Sequence, residues 1–487
     1  MSMTCKWEHI VQRIEQMPMV AVVVPFAIGI CVAEVVDVPL WATILLLVST
    51  LVGRRWVGST MREAMLMLAV AVVGMVLHAT RQSGNIDYDR RQQIRLHFEE
   101  HSTISRGRSR TAARIIEAES HTLEGCRIVA WSDSTRRFSA GDKASVTTSI
   151  RRFNPKYESY ARLMFHRGFV GSASVGEPYD IAPSRYKTLH EAAVERLSAI
   201  VPHDNAGAVV VAMTTGSRDA ITPELRRAYS LSGASHILAV SGMHVGILFL
   251  LINLLVYPLG ILPHGNILKS AVAIVAIWGF VVLCGLPPSA VRAAIMFSAL
   301  QLSLHIPGRY SSGNIWAATA FVMLLCDSHL LFDISAQLSF LAVGGIIFWG
   351  VPLCRLLRTH RPMVDMLTAT LVVGAVATIA TMPLIANVFG IVSIVGIALN
   401  PLVILLAYAI LLAGISALAI PSLAVVAHLA ARLLNGAAEW VATHPSFYLE
   451  FSPEGWQTAL IYTLYGAITV VIWSIGRKKR LHIDDNL

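Results

Sequence analysis

The chain has 487 residues, 55% of them hydrophobic and only 14% charged. Apolar runs approaching the roughly 20 residues needed to cross a bilayer recur along it, which excludes a soluble enzyme with one greasy segment. The net charge is +9; between Arg81 and Val201, 20 Lys/Arg stand against 14 Asp/Glu, so two thirds of the excess lies in one polar segment.

The apolar runs are too continuous for a transmembrane barrel, whose strands alternate. Backbone groups in lipid must be satisfied internally, so the predicted spans are helices. The first is 18–36, which carries Pro25 and Glu34 and reads as a retained helix, not a cleaved signal peptide. Runs at 39–52 and 62–80 follow. Lys6 and Arg13 before the first run, and Arg54, Arg55 and Arg62 between the second and third, predict cytoplasmic positions. Three crossings then place the polar segment on the extracytoplasmic face.

That segment has strand signals. Ala144, Val146, Thr148 and Ile150 alternate with Lys143, Ser145, Thr147 and Ser149, after the turn pair Gly141-Asp142. Arg114–Ala118, Arg127–Trp131 and Phe169–Val175 are further strand candidates, together suggesting a small barrel or sandwich. Its positive charge points to an anionic partner, with an ordinary solvated surface as the alternative. Leu189–Val201 is amphipathic and suits a membrane surface. Ala206–Met213 is too short to cross and is expected to be re-entrant or buried.

Further spans are predicted near 234–257, 268–285, 289–305, 314–327, 336–353, 366–386, 391–418 and 456–475. A weaker run, 422–442, contains Arg432 and Glu439 and reads as interfacial. The tail Arg477-Lys478-Lys479-Arg480 is expected to be cytoplasmic. The expected fold is a polytopic α-helical membrane protein, with about ten or more helices and one small β-rich extracytoplasmic domain. Its divisions are 1–80 (three helices), 81–187 (the β domain), 188–230 (a connector), 231–475 (the main membrane domain) and 476–487 (the tail).

Polar residues in spans are costly and usually face a cavity or a partner. They fall in four places. Ser235, His236, Ser241, Gly242 and His244 stand at the mouth of the 234–257 run, with Ser241 and His244 spaced to share a helical face. Arg292 follows the double proline Pro287-Pro288 and suits either snorkelling or contact with a passing phosphate. Asp333, Gln337 and Ser339 form the third place, where Asp333 suits a helix cap. Asn387 and Asn400-Pro401 form the fourth, and Pro401 is expected to interrupt a long run.

The six cysteines are scattered and include no CxxC; no H-E-x-x-H and no G-x-x-x-x-G-K-[ST] occurs. No catalytic residue, metal or cofactor is therefore assigned. A serine hydrolase built on Ser241 and His244 lacks a nearby acid and a G-x-S-x-G elbow.

These clusters, in this order, resemble the ComEC family of competence proteins, the inner-membrane DNA-uptake channels. Ser235–Gly246 (SHILAVSGMHVG), Pro288–Ala293 (PSAVRA), Gln337–Phe340 (QLSF) and Pro383–Pro401 carry the likeness. Gly141-Asp142, Asn154-Pro155, Tyr157, Tyr160 and Gly168 resemble the family's extracytoplasmic OB-fold region. The resemblance implies a channel that passes single-stranded DNA into the cytoplasm during natural transformation, with the polar breaks lining a wet path. It also implies that the OB-like domain receives the strand. Candidates there are Arg136, Arg137, Lys143, Arg151, Arg152 and Lys156, with aromatic platforms from Trp131, Phe138, Phe153 and Tyr157. Membrane lipid, an extracytoplasmic DNA receptor, a separate nuclease and a cytoplasmic motor ATPase or single-strand-binding protein are the implied partners. Two departures stand out. No H-x-H-x-D-H motif occurs, so a short-form member without the metallo-β-lactamase-like domain is expected, and Gly216-Ser217-Arg218-Asp219 replaces a Gly-Asp pattern. A secondary transporter or flippase for a small anion or lipid is the alternative that broken helices also suit.

Overall fold

The computed structural model describes residues 17–484, apart from short segments at 37–38, 54–58, 83–87, 100–101, 106, 140, 155–160, 162–163, 166–167, 183–187, 306–310, 360 and 394. The chain divides into two compact units. One comprises Met1–Thr188 with Ala317–Gln337, and the other Leu189–Trp316 with Leu338–Leu487. The units therefore do not follow the domain divisions read from the sequence, because Ala317–Gln337 packs with the N-terminal helices.

The first unit opens with α1 (Pro18–Val35), α2 (Leu40–Gly53) and α3 (Ser59–Gln82), matching the three predicted runs. Pro18 starts α1 where its missing N–H costs nothing. α1 and α3 run side by side in the same direction, since Phe26 lies by Gly74 and Glu34 by His78. Glycine lets the two backbones touch: a Cβ on Gly29 would collide with the carbonyl oxygen of Ala71, and one on Gly74 with that of Phe26. Phe26 also meets the ring of Phe321 edge-on at 5.1 Å, which ties the 317–337 segment to α1.

The strands follow: β1 (Arg91–Phe98), β2 (Thr103–Ser105), β3 (Arg108–Ala118), β4 (Arg127–Asp133), β5 (Lys143–Arg151), β6 (Phe169–Ser174) and β7 (Tyr179–Ala182). Five of them close on themselves in the order β1-β3-β4-β6-β5-β1, with β2 added to β3 and β7 to β5. Every pairing is antiparallel except β4 with β6. Closure leaves one face inside, so alternate residues fill a core that includes Ile94, Leu96, Ile115, Ile128, Val146 and Ile150. Burying each such side chain stabilises the barrel by roughly 1.5–3 kcal/mol. Phe138 belongs to this core, stacked on Phe98 at 4.0 Å; it is not a surface platform, which corrects the sequence reading.

The second unit holds α4 (Leu189–Ile200), α5 (Asn205–Thr215), α6 (Pro223–Leu231), α7 (Gly242–Leu255), α8 (Gly265–Leu283) and α9 (Pro288–Ser303). α10 (Ser312–Cys326) and α11 (Ile334–Gly345) cross between the units along the chain. α11 runs through a π-turn (Ile346–Gly350) into α12 (Val351–Leu356), where Pro352 removes a backbone donor and the wider turn absorbs the loss. α13 (Pro362–Phe389), β8 (Ile391–Ser393), α14 (Val395–Ala417), α15 (Ala424–Ala442), β9 (Tyr448–Glu450) and α16 (Gly455–Asp484) complete it.

α5 is buried from Ala206 to Thr215, in keeping with the expectation that it buries instead of crossing. Asp204 caps it by accepting from the Gly207 N–H at 2.8 Å, and left-handed Gly216 (φ 88°) ends it. Three sequence readings are corrected in this unit. α15 is not merely interfacial: Ala427, Ala431, Leu434 and Ala438 lie in the core with α5 and α14. α4 likewise contributes Leu197 to that core. The long run near 391–418 is interrupted not at Pro401, which lies inside α14, but at Gly390 (φ 70°) and β8, which pairs with β9. Among the described residues, six helices are long and apolar enough to cross a membrane: Pro18–Val35, Met61–Thr80, Gly265–Leu283, Ile334–Leu356, Pro362–Phe389 and Ala398–Ala417.

Candidate functional site

The signature stretch 235–246 is a break between helices. A 3-10 turn (Ser235–Ile237) and an extended Ser241 (φ −112°, ψ 168°) precede α7. His244 sits three residues into the helix and turns back: its Nδ1 accepts the Ser241 N–H at 3.0 Å, with the Ser241 hydroxyl 2.9 Å away. A helix start leaves its first N–H groups unsatisfied, and this geometry serves the capping role usually played by Glu or Gln. Because Nδ1 receives a main-chain N–H, the ring proton belongs on Nε2. His244 is fully buried, and its Nε2 has no hydrogen-bond partner among the described residues.

α9 begins at a second break, immediately beside the first. Gly285 (φ 77°) and Leu286 (φ 56°) are both left-handed, and the latter is a conformation that costs a branched side chain about 1 kcal/mol or more. Pro287 and Pro288 then fix the helical entry. The Ser289 hydroxyl donates to the carbonyl of Val240 at 2.5 Å. Gly242 faces Ala293, where an added Cβ would lie at 3.5 Å. The N-terminal turns of α7 and α9 thus abut, two positive dipole ends in one place. Arg292, 1% exposed, adds a full charge within the first two turns of α9. Ser235 and His236 are exposed; Ser241 and Gly242 are partly so. His244 and Arg292 are buried, so neither borders an open passage in this structure.

The remaining predicted residues lie elsewhere and hold structure together. The Asp333 carboxylate accepts from the Ala336 N–H at 2.8 Å and caps α11, as its position suggested. Gln337 Nε2 donates to the Leu331 carbonyl at 2.8 Å, and Ser339 is half-buried one turn on. Asn387 Nδ2 donates to the Pro453 carbonyl at 2.7 Å, and Asn400 packs against Gly374. In the departing segment, Ser217 Oγ donates to Asp219 Oδ2 at 3.2 Å, and burial pulls the Arg218 guanidinium below its usual range, with Arg226 adding to the effect.

On the barrel, Arg137, Lys143 and Arg151 are exposed. Arg136 donates to the Gly176 carbonyl at 2.7 Å and pairs with Glu177. Arg152 stacks over Tyr88 at 4.5 Å. Trp131 and Phe153 pack on an outer patch of Ala112, Val129, Met164 and Phe169. Lys156 and Tyr157 lie outside the described residues. Sequence reasoning missed the outward row of β3 and β4: Arg108, Arg110 and Arg114, with Arg127 opposite Arg114 and Trp131 opposite Arg110. Their spacing of two along β3 was the available signal. Glu99 accepts from both Arg114 and Arg127, at 2.7–2.8 Å.

A helical bundle with paired helix breaks and a closed extramembrane-type barrel defines a polytopic membrane protein with a polar focus inside apolar packing. The chain belongs to the ComEC-type competence protein family, whose pattern, described as "Competence protein", matches residues 213–476 and so takes in both breaks. It is 27% identical over 222 residues to ComE operon protein 3 of Bacillus subtilis, covering 45% of this chain and 27% of that protein. An uncharacterized protein of Aquifex aeolicus is 26% identical over 333 residues, covering 66% of this chain and 74% of its own length. Uncharacterized protein YcaI of Escherichia coli is 26% identical over 275 residues, which is 51% of this chain and 33% of that protein. The chain thus spans about a quarter and a third of the length of two of these relatives. No solved structure matches it.

Proposed function

We propose that this chain is an inner-membrane conduit that carries single-stranded DNA into the cytoplasm during natural transformation. The observation that carries the reading is the abutting pair of helix starts at Ser241–His244 and Pro288–Arg292, inside the segment that matches the competence family. A nucleotide strand brings one negative charge per residue, which apolar walls would repel. Two dipole ends and a buried guanidinium offset such charge. The remaining buried residues join the path when the two breaks separate.

We read the barrel as an OB-fold on the extracytoplasmic face, which receives the strand before it enters. Five closed strands with one parallel pair support this. OB-folds bind along the second and third barrel strands and adjoining loops; here that face carries Arg108, Arg110, Arg114, Arg127 and Trp131. Three shorter apolar helices, Trp41–Thr50, Gly242–Leu255 and Ser312–Cys326, with the six long ones, bring the crossings toward ten. A DNA receptor outside, and a nuclease and a motor or single-strand-binding protein, complete the proposed pathway. The serine-hydrolase alternative loses its base, because the Ser241 N–H already occupies His244 Nδ1.

Arg292→Gln tests the reading. DNA uptake, scored at matched membrane abundance, is expected to fall at least tenfold; uptake equal to wild type would overturn it.

A further inference from the structure

Outside the competence-matched helix breaks, the first unit contains a second buried polar group. His78, near the end of α3, is fully buried. Its Nε2 lies 2.8 Å from Glu34 Oε2 in the last turn of α1, and its Nδ1 lies 2.9 Å from the hydroxyl of Ser328, which is itself fully buried. Ser328 opens the turn after α10, and His329 and Phe332 of that turn lie against the His78 ring at 5.1 and 5.8 Å. The barrel reaches the same place, with Phe165 edge-on to His329 at 5.5 Å.

We propose that Glu34, His78 and Ser328 form a proton-binding site between α1, α3 and the Ser328–Phe332 turn. The hydrogen-bond chemistry permits two states of one geometry. In the first, Nε2–H donates to the Glu34 carboxylate, and Nδ1 accepts the Ser328 hydroxyl hydrogen. Adding one proton to Nδ1 makes the imidazolium. Nδ1–H then donates to Ser328 Oγ, the hydroxyl hydrogen rotates away, and Nε2–H keeps its carboxylate. No heavy atom has to move, because a hydroxyl both donates and accepts. The Glu34 side chain is 27% exposed, while that of His78 is sealed. α1 and α3 run in the same direction, so the site lies at the end from which the chain enters the barrel.

Among the described residues, the titratable groups near the ring include His329 of the turn, whose own ring lies 5.1 Å from it. On α1 they are Glu34 and, one turn earlier, Cys31. On the turn, Asp327 accepts the His329 N–H at 3.0 Å, and Asp333 caps α11. The buried polar residues of α2 are Thr43 and Thr50, which carry no charge. Glu34 is thus the carboxylate bonded to the ring.

The test is nitrogen NMR on the full chain, labelled with ¹⁵N-histidine and held in lipid nanodiscs, with His78→Gln used for assignment. His78 is expected to pass reversibly from the Nε2-protonated neutral ring to the doubly protonated ring as the pH is lowered. Glu34→Gln should weaken proton binding at least tenfold. Ser328→Ala should leave the titration in place while moving the Nδ1 signal, and it supplies the assignment if His78→Gln fails to fold. A single protonation state from pH 5 to 9, or a midpoint unmoved by Glu34→Gln, would overturn the proposal.

Discussion

Two fully buried histidines, one in each unit, are used in opposite ways. His78 stands between a carboxylate and a hydroxyl, partners that serve both the neutral and the charged ring. His244 Nδ1 also meets a hydroxyl, that of Ser241, but it stands against a main-chain N–H as well, which can only donate. A proton on its Nδ1 would set two donors face to face and break the start of α7. The lesson is that burial alone does not define the role of a histidine. The reversibility of its partners does, and a hydroxyl can reverse where an amide cannot.

The largest way to break this comparison is to separate α1 from α3. Gly29→Val drives side-chain atoms into the Ala71 backbone. Overpacking of this kind costs about 1–3 kcal/mol or more, and membrane abundance should fall severely, with protease cutting in the first unit. Wild-type abundance would show that the close helix approach is not needed. Next in size is His244→Ala, which removes the cap of α7 at a cost of about 0.5–2 kcal/mol. Uptake should drop at least fivefold, and His244→Gln, which keeps an acceptor within reach of the Ser241 N–H, should restore part of it. Equal loss in both variants would show that the imidazole matters for something other than capping.

A smaller effect concerns the barrel. Replacing Arg108 and Arg110 by Gln should weaken binding of a single-stranded oligonucleotide to the full chain and flatten its salt dependence. The log–log slope should change by about 0.7 for each phosphate that the protein no longer neutralises. An unchanged slope would move the strand off the β3–β4 face. The smallest effect concerns the Asp204–His428 tie, with Nε2 3.0 Å from both carboxylate oxygens. Burial pushes the Asp204 carboxyl up, but the Gly207 N–H and His428 outweigh it and hold it below the usual range. A depressed carboxyl stabilises the fold above its unfolded value of about 4, and that contribution disappears as pH falls through the lower folded value. Asp204→Asn should therefore cost under about 1 kcal/mol near neutral pH, since the group is half-exposed. Its stability difference from wild type should vanish in acid; a difference that persists there would assign the effect to packing.

Local signals carried much of the architecture into the sequence. The three N-terminal runs, the alternation of Lys143–Ile150 and the burial of Ala206–Met213 rest on periodicity and length, and all appear as helices or strands where expected. What pattern could not supply was long-range pairing. Nothing near Ser328 announces His78, 250 positions away, and nothing near Phe321 announces Phe26. Pro401 looked like the break because proline is a strong local signal. Yet it lies inside α14 without ending it, and the real interruption is a left-handed glycine followed by a strand paired to distant Tyr448–Glu450. Within the candidate site, Ser241, His244 and Arg292 were visible as polar residues among apolar ones. Their roles were not, because a cap and a helix–helix contact are properties of the folded backbone.

The most direct measurement uses an oligonucleotide carrying photoreactive bases, stalled during uptake into cells that produce the full chain. After irradiation, the attached residues are mapped by mass spectrometry. A conduit through the paired helix breaks predicts attachment within Ser235–His244 and Pro288–Arg292, in addition to the barrel face. Attachment confined to the barrel, with none at either break, would contradict it.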